Sequence, residues 1–248
     1  MLYQELHKRF YELSTKKDLL NKKVIIKTKI LTSEEAIGNP DRKDFPLLKV
    51  KEVLMSAQFM DSVGQAYTQA PSEFEGMLED IFKLSLDDIR NRGLFIASLN
   101  AVMRYLYPDL TTIHCKDNEP EECATEIANF LEKLSPKKIG LIGLQPAMLD
   151  ALSKKFGPST IRCLDRDEDN IGKEKFGVKI EFGDDKTTED LFLTSDLVLA
   201  TGSSVVNGSL VDILNLAQKT NTPLYLYGTT IAGAAKLLGL NRLCFRSK

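Results

Sequence analysis

Residues 138–152, KIGLIGLQPAMLDAL, constrain the fold of this chain more than any other stretch. The apolar run IGLI predicts a buried strand, and the GLQP that follows has the composition of a tight turn. Met148, Leu152 and Phe156 then recur at helical spacing, which predicts a helix. In an open α/β sheet, the first turn from strand to helix brings a ligand's polar groups to a helix N-terminus. This turn therefore predicts where a ligand binds.

Charge and apolar content exclude several classes of function. The 33 Lys and Arg residues nearly balance 35 Asp and Glu residues, and the net charge of -2 gives no field that gathers nucleic acid. No apolar run approaches the roughly 20 residues of a membrane span, and the first residues predict a charged amphipathic helix without a signal-peptide core. We therefore expect a cytoplasmic protein with a small-molecule partner and no nucleic acid or membrane partner. Homo-oligomer formation stays open.

The cysteines do not form a recognisable framework. Cys115, Cys123, Cys163 and Cys244 are widely spaced and include no tight CxxC pair. This spacing argues against a disulfide scaffold and against a zinc knuckle, so we expect reduced thiols.

Residues 1–108 predict a small α+β domain, because strands come first and helices follow. The predicted elements are a helix over 2–21, a strand over 24–31, a structured loop over 35–51, strand character over 53–67 with a break at Gly64-Gln65, and helices over 73–84 and 87–107.

Residues 109–248 alternate strands with helices of about ten residues. The predicted strands cover 139–143, 160–165, 178–182, 196–201, 223–227 and 243–245, and the predicted helices cover 118–134, 146–156, 209–219 and 231–238. Such alternation is typical of crossover units. It predicts a Rossmann-like, mainly parallel sheet with helices on both faces.

Three predicted strands end in glycine or small polar residues, and parallel strands place these ends along one rim of the sheet. The rim residues are Gly143, Gln145, Thr201, Gly202, Ser203, Gly228 and Thr229. The segment TGSSVVNGS adds Asn207 and Gly208, whose position ahead of a helix suits a carboxylate, a phosphate or the polar edge of a ring. Ordinary capping by Ser and Asn explains the same segment. Both interpretations stay open.

Asp165 ends the second predicted strand of this half, 22 residues after Gly143. An acidic group at about this spacing contacts a ribose hydroxyl in nucleotide-binding sheets, although a solvated carboxylate is an equal alternative. A GxGxxG motif is absent, and Pro146 removes a backbone donor from the turn. The sequence therefore disfavours a dinucleotide site.

His114, Cys115 and Asn100 carry further hypotheses. Imidazole and thiolate are ligands of soft metals, and a base beside a thiol can activate it. Cys123 lies on the apolar stripe of its own helix and is read as core, as are Cys163 and Cys244 within predicted strands. Asn100 falls on the apolar face of a long helix, where an unpaired amide is costly, so either backbone or a ligand must satisfy it.

Taken as a set, six segments resemble the putative heavy-metal chelation family, a domain family of unknown function. They are GNPDRKDFPLLKVKE, GQAYTQAP, NRGLFIASLNAV, HCKDNEPEECA, TGSSVVNGSL and LYGTT. The resemblance covers nearly the whole chain, with Val50 standing where the pattern has a glycine. It implies an enolase N-terminal-like α+β domain over 1–108, a Rossmann-like domain over 109–248, and a site between them.

The same resemblance implies a part in making or handling pterin-, flavin- or siderophore-like metal chelators. Carried over by motif, its site residues are Asn39, Arg42, Asp44, Gln65, Asn100, His114, Thr201, Gly202, Ser203 and Asn207.

Three functions follow as hypotheses. The first is an enzyme of condensation, hydrolysis or group transfer on a nucleotide-like or pterin-like chelator precursor, with His114 as acid or base and Asn100 as an orienting group. The second is a non-catalytic protein that sequesters a heavy metal or its chelate through His114 and Cys115. The third is methyl transfer from S-adenosylmethionine, which the missing glycine-rich loop weakens.

Overall fold

The fold is described by a computed structural model that covers residues 2–20, 25–49 and 53–248. It contains a four-stranded sheet in the N-terminal part and a seven-stranded, mostly parallel sheet in the remainder. The α/β class with an N-terminal α+β part is therefore confirmed. Among the described residues, no helix combines the length and apolar character that crossing a bilayer requires.

The N-terminal part builds an antiparallel sheet beneath one long helix. Its elements are α1 (Leu2–Lys16), β1 (Ile25–Ile30), α2 (Ser33–Ile37), β2 (Val53–Phe59), β3 (Ser62–Thr68), β4 (Glu75–Met77), α3 (Leu78–Ile81) and α4 (Ile89–Leu106), with a 3-10 turn at Pro46–Lys49. The strand order is β3-β2-β1-β4. Asp88 begins α4 by accepting a hydrogen bond from the Arg90 N–H at 2.7 Å.

The remainder alternates strands and helices as predicted. Its elements are α5 (Glu119–Glu132), β5 (Ile139–Ile142), α6 (Pro146–Phe156), β6 (Ile161–Asp165), β7 (Glu174–Lys175), β8 (Val178–Phe182), α7 (Asp185–Thr194), β9 (Leu197–Thr201), α8 (Ser204–Asn207), α9 (Leu210–Thr220), β10 (Leu224–Tyr227), α10 (Ala232–Leu238) and β11 (Arg242–Leu243), with a 3-10 turn at Pro158–Thr160.

The order of the large sheet creates a switch point. Its strands run β11-β10-β9-β5-β6-β8-β7, and all neighbours are parallel except β7 with β8. The chain proceeds to one side from β5 to β6 and returns on the other side through β9. Connections leave β5 and β9 in opposite directions, which opens a crevice at their carboxyl ends.

Both faces of the large sheet are buried, as the apolar strand β9 shows. Leu197 and Leu199 pack with residues of α5 and α6, whereas Val198 and Ala200 pack on the other side. Alternate side chains point to opposite faces of a strand, so only a strand covered on both sides is apolar at every position. The cluster that contains Val198 and Ala200 also includes Phe95 of α4. The hydrophobic core therefore runs through both halves of the chain. The division at residue 108 stays a prediction.

Two predictions in the N-terminal part are wrong. Gly64-Gln65 does not break the strand region, because both residues lie inside β3 and the hairpin turns at Met60 instead. Residues 73–84 are not one helix, because Glu75–Met77 pairs with β1 before the short α3 begins. Tertiary pairing overrides local helix propensity here.

Other predicted elements differ from the structure in where they begin or end. Helix α1 ends at Lys16 rather than Asn21, which lies outside the described residues together with Val24 and Val50. The predicted loop over 35–51 begins inside α2, which Thr32 and Glu35 start with a capping box. Helix α7 was not predicted, since its buried residues are only Leu191 and Phe192 and leave little periodicity to read.

Gly64 marks a close approach between β3 and α4. A Cβ added there would lie 2.1 Å from the Ala101 nitrogen and 2.5 Å from the Ala97 carbonyl oxygen. Both neighbours are helix backbone and cannot rotate away. We therefore expect Gly64→Ala to lower the free energy of unfolding by about 3 kcal/mol, measured by urea denaturation.

A matched control is Gly172→Ala, where an added Cβ meets nothing within 4 Å and only the φ of 74° opposes the change. Its expected cost is about 1 kcal/mol. Equal costs at the two glycines would contradict the close approach as the cause.

Candidate ligand-binding cleft

A cavity of about 680 Å³ opens at the carboxyl ends of β5, β6, β9 and β10. A second cavity of about 430 Å³ adjoins it at the switch point. The residues that line both are Gln69, Gly143, Asp165, Arg166, Asp167, Thr201 and Ser203. The predicted rim is thus the shared wall of a cleft with two chambers.

Gly143 sets the contact between β5 and β9. Its φ is 88°, and a Cβ there would lie 2.7 Å from Thr201 Cγ2. The Tyr227 hydroxyl donates to the Gly143 carbonyl oxygen at 2.8 Å. Only glycine fits this position, which brings the β5 turn directly against the end of β9.

Asp165 ties together the two loops that follow β5 and β6. Its Oδ2 accepts from the Leu144 N–H at 2.5 Å, and its Oδ1 accepts from the Asp167 N–H at 2.7 Å. The carboxylate also lines both chambers. Asp165 therefore has a structural role and lies where a ligand could reach it.

The start of α6 offers few donors to an anion. Gln145 caps the helix by accepting from the Met148 N–H, and Pro146 has no N–H at all. The Leu144 N–H is already bonded to Asp165. The expectation that a dinucleotide is disfavoured gains support from these bonds.

The TGSSVVNGS segment divides between lining and capping. Thr201 Oγ1 and Ser203 Oγ lie 3.0 Å apart and face the cleft, whereas Gly202 lies outside its lining and packs against the Tyr227 carbonyl oxygen. Asn207 lines the smaller chamber, but its Oδ1 accepts from the Ser209 N–H and hydroxyl. Gly208 lines neither chamber and ends α8 with a φ of 100°.

Gly228 and Thr229 lie on the wall of the larger chamber, as predicted from the end of β10. The Thr229 Oγ1 is buried and finds no hydrogen-bond partner among the described residues. Burying a hydroxyl without a partner is costly. Thr229 is therefore the polar group that the fold leaves unsatisfied beside the chamber.

His114 lies in the wall of the larger chamber as a neutral base. Burial lowers the pKa of His114 to about 4, despite the hydrogen bond with the Ala36 carbonyl oxygen that opposes this shift. The ring Nδ1 lies 3.3 Å from that oxygen, so Nδ1 carries the proton and Nε2 keeps a lone pair. Tyr67 packs edge-on against the ring.

Three of the four thiols line the larger chamber: Cys115, Cys123 and Cys244. Burial raises the pKa of Cys115 to about 12. A hydrogen bond with Cys123 lowers the pKa of Cys244 to about 5, and the same bond, with burial, raises the pKa of Cys123. The prediction that Cys244 is a core residue within a strand is wrong, since it follows β11 and is half-buried. Cys163 is in the core, as predicted.

Asn100 and Gln65 do not line either chamber. The Asn100 side-chain amide donates to the carbonyl oxygens of Gln65 and Thr230, at 2.8 and 3.0 Å, and its oxygen accepts from the Gly233 N–H at 2.7 Å. Gln65 Oε1 accepts from the His114 N–H at 2.7 Å. Backbone partners thus satisfy the Asn100 amide, which was one of the two alternatives that the sequence left open.

The GNPDRKDFP loop reaches the cleft through residues that the sequence did not single out. Asn39, Arg42 and Asp44 lie outside both chambers, whereas Phe45 and Leu47 line the larger one. Arg42 instead joins the N-terminal part to the large sheet's helices. Its guanidinium bonds to Glu121 at 3.2 Å, to Asp150 at 2.6 Å and to Asp44 at 3.5 Å.

Further residues line the larger chamber that the sequence analysis did not identify. They are Tyr67 from β3, Gln69 directly after β3, Met148 from α6, Tyr227 from β10, and Arg166 with Asp167, Glu168, Asp169 and Asn170 after β6. The run RDEDN directly after a strand end was the available signal for the last group. The described part of the chain holds no group of three or more His, Cys, Asp or Glu side chains arranged for a metal ion.

Comparison with known proteins finds similarity to one family. The model of the DUF364 family, described as putative heavy-metal chelation, matches residues 126–240. A protein of unknown function of this family from Pyrococcus horikoshii is similar at a TM-score of 0.60 and 18% identity, over 96% of this chain and 83% of that chain. Another from Desulfitobacterium hafniense has a TM-score of 0.50 and 15% identity, over 75% and 73%.

A search of curated proteins found no match. The resemblance read from the motifs is confirmed, and at these identities the two solved structures show the fold alone.

Protonation of the half-buried His114 should destabilise the protein in acid. The unfolded chain takes up the proton near pH 6.5 and the folded chain near pH 4, so stability is lost as the pH falls through this interval. Relative to His114→Gln, the wild type should lose about 3 kcal/mol of unfolding free energy between these values. Urea denaturation at several pH values measures the difference.

The nearby charges of Glu119 and Lys116 stay in place in this comparison, and His7→Gln serves as the substitution control. Parallel pH profiles for the wild type and His114→Gln would refute the lowered pKa of this imidazole.

Arg42→Ala should lower the free energy of unfolding by about 2 kcal/mol, because Asp150 and Glu121 lose their shared partner. The Arg42 and Asp150 side chains are only 16% and 13% exposed. Lys83→Ala is the control, since the 66% exposed Lys83 should contribute about 0.5 kcal/mol or less through its ion pair with Asp80. Equal losses in thermal or urea unfolding would show that Arg42 is an ordinary surface cation.

Proposed function

Since residues 126–240 match the putative heavy-metal chelation family and the fold is shared with two of its solved members, we propose a small-molecule function for the cleft. The protein binds a heteroaromatic molecule of the pterin or nucleoside kind, without a phosphate group. The ligand occupies the larger chamber, between the N-terminal sheet and the rim of the parallel sheet. This activity belongs in the cytoplasm, where the four free thiols stay reduced.

This proposal rests on the backbone N–H groups of the turn between β5 and α6, which are already engaged within the protein. In nucleotide-binding sheets, free N–H groups at the start of the helix hold the pyrophosphate. Here Asp165 occupies the Leu144 N–H, Gln145 occupies the Met148 N–H, and Pro146 has none. A phosphate would also meet the Asp165 carboxylate, so the site favours a ligand that donates hydrogen bonds.

The walls of the larger chamber suit a ring. Its apolar side comes from α5, α6 and the loop before β2, and includes Phe45, Ile127 and Met148. Its polar end carries Asp165, Arg166, Asp167, Glu168 and Asp169, with more acidic than basic groups. Amino and hydroxyl substituents on a flat apolar body match this division.

His114 supports chemistry on the bound molecule. Its Nε2 lone pair acts as a base rather than an acid at neutral pH, because the ring stays neutral down to about pH 4. Condensation, hydrolysis or group transfer on a metal-chelator precursor uses such a base. The family's description supports a chelator as the class of product.

Methyl transfer from S-adenosylmethionine is the second candidate. That molecule is free of phosphate and carries a cationic sulfonium, which the acidic end of the chamber would attract. Its ribose would contact Asp165.

Matched probes test the proposal. Isothermal titration with 6-hydroxymethylpterin and its diphosphate, and with adenosine and ADP, compares the same ring with and without the anion. For at least one pair, we expect the phosphate-free member to bind at least about tenfold more tightly than its diphosphate. Tighter binding of both diphosphates, or no binding of any probe, would refute the proposed ligand class.

Matched substitutions on α5 locate the binding site. Ala124 faces the larger chamber, whereas its neighbour Thr125 is exposed. Ala124→Phe should fill the chamber and weaken probe binding about tenfold, and Thr125→Phe should leave it unchanged. Thr201→Val, which removes only a lining hydroxyl, provides a second test where the larger side chain disturbs folding. Unchanged affinity in both lining variants would place the ligand elsewhere.

A further inference from the structure

Cys123 and Cys244 form a pair in the wall of the larger chamber. Cys123 lies on α5, and Cys244 follows β11 directly, so residues 121 positions apart meet through the fold. Cys244 packs against the buried cluster that contains Cys123, and a hydrogen bond links the two side chains. Both line the chamber, which gives an ion in solution a route to the two sulfurs.

The segment after β11 surrounds both sulfurs with donors. The Phe245 N–H donates to Cys123 Sγ at 3.3 Å, and the Arg246 backbone adds a second hydrogen bond. The Ser247 backbone adds a hydrogen bond to Cys244, whereas the Ser247 hydroxyl donates to Thr111 Oγ1 at 2.6 Å. Donors of this kind stabilise negative charge on sulfur and hold it in position, as they do around metal–thiolate centres.

The number of ligands selects the kind of metal. In the described ranges no third His, Cys, Asp or Glu joins the pair to form a cluster suited to a metal ion. Structural zinc requires four ligands, and calcium and magnesium require oxygen ligands. Soft ions of filled d shell bind thiolate strongly and accept two sulfurs in a linear arrangement.

We propose that Cys123 and Cys244 form a two-thiolate site for a soft heavy-metal ion of the Cu(I), Ag(I) or Hg(II) kind. Two sulfur–metal bonds form, the S–H protons pass to solvent, and the metal keeps its oxidation state. The site uses neither His114 nor the rim residues, so it goes beyond the proposed organic ligand. Failure of one proposal leaves the other standing.

Silver(I) is the probe, because it is not readily reduced or oxidised by the protein's thiols once bound. Reduced full-length protein receives Ag(I) and is then challenged with millimolar glutathione, a monothiol that strips silver from single cysteines. Native mass spectrometry should show a single retained ion in the wild type. Cys123→Ser and Cys244→Ser should each lose it, whereas Cys115→Ser, the third thiol of the same wall, should retain it.

Alkylation provides a readout that does not depend on variants folding. Bound Ag(I) should protect Cys123 and Cys244 of the wild type from iodoacetamide, as mapped by peptide mass spectrometry. Titration of the variants with 6-hydroxymethylpterin separates loss of the metal site from loss of the cleft. Complete removal of silver from the wild type by glutathione, or equal loss in Cys115→Ser, would overturn the two-thiolate site.

Discussion

The side-chain amide of Asn100 is the interaction on which the relation between the two halves depends. It is wholly buried on α4 and bonds to β3 through Gln65, to the turn before α10 through Thr229 and Thr230, and to the first turn of α10 through Gly233. Every partner is backbone, so the geometry does not depend on flexible side chains. Replacing the amide would leave several buried groups without partners, which is why this polar residue persists on an apolar face.

The position of the cleft follows from this junction. The turn that Asn100 holds includes Thr229 and Thr230, which line the larger chamber beside the switch point of the sheet. Strand β3, on the other side of the amide, supplies Tyr67 to the same wall, and Gln69 follows directly after the strand. A single buried hydrogen-bond group therefore joins the two surfaces that form the walls of the larger chamber.

The sequence predicted those features that follow from position along a strand or helix. Gly143, Asp165, Thr201 and Gly228 lie on the cleft because parallel strands bring their carboxyl ends together, whatever the ligand. Capping and binding use the same residue types, so local sequence left Asn207 open and Gly208 proved to be a helix terminus.

Features that depend on contacts between distant parts of the chain could not be predicted from the sequence. Gly64 resembled a turn residue, but its lack of a side chain serves the contact with α4. The Cys123 and Cys244 pair depends on the segment after β11 folding back over α5. Arg42 belongs to one of the family's motifs, yet in the structure it forms ion pairs with residues of distant elements.

The continuity of the hydrophobic core through both halves bears on the entropy of binding. Since Phe95 of α4 shares a cluster with Val198 and Ala200 of the large sheet, the two walls of the cleft are parts of one packed body. The chamber is preformed, and filling it orders little more than exposed side chains such as Gln69. Binding in such a chamber requires no closure of one half onto the other, so affinity is not spent on bringing lobes together.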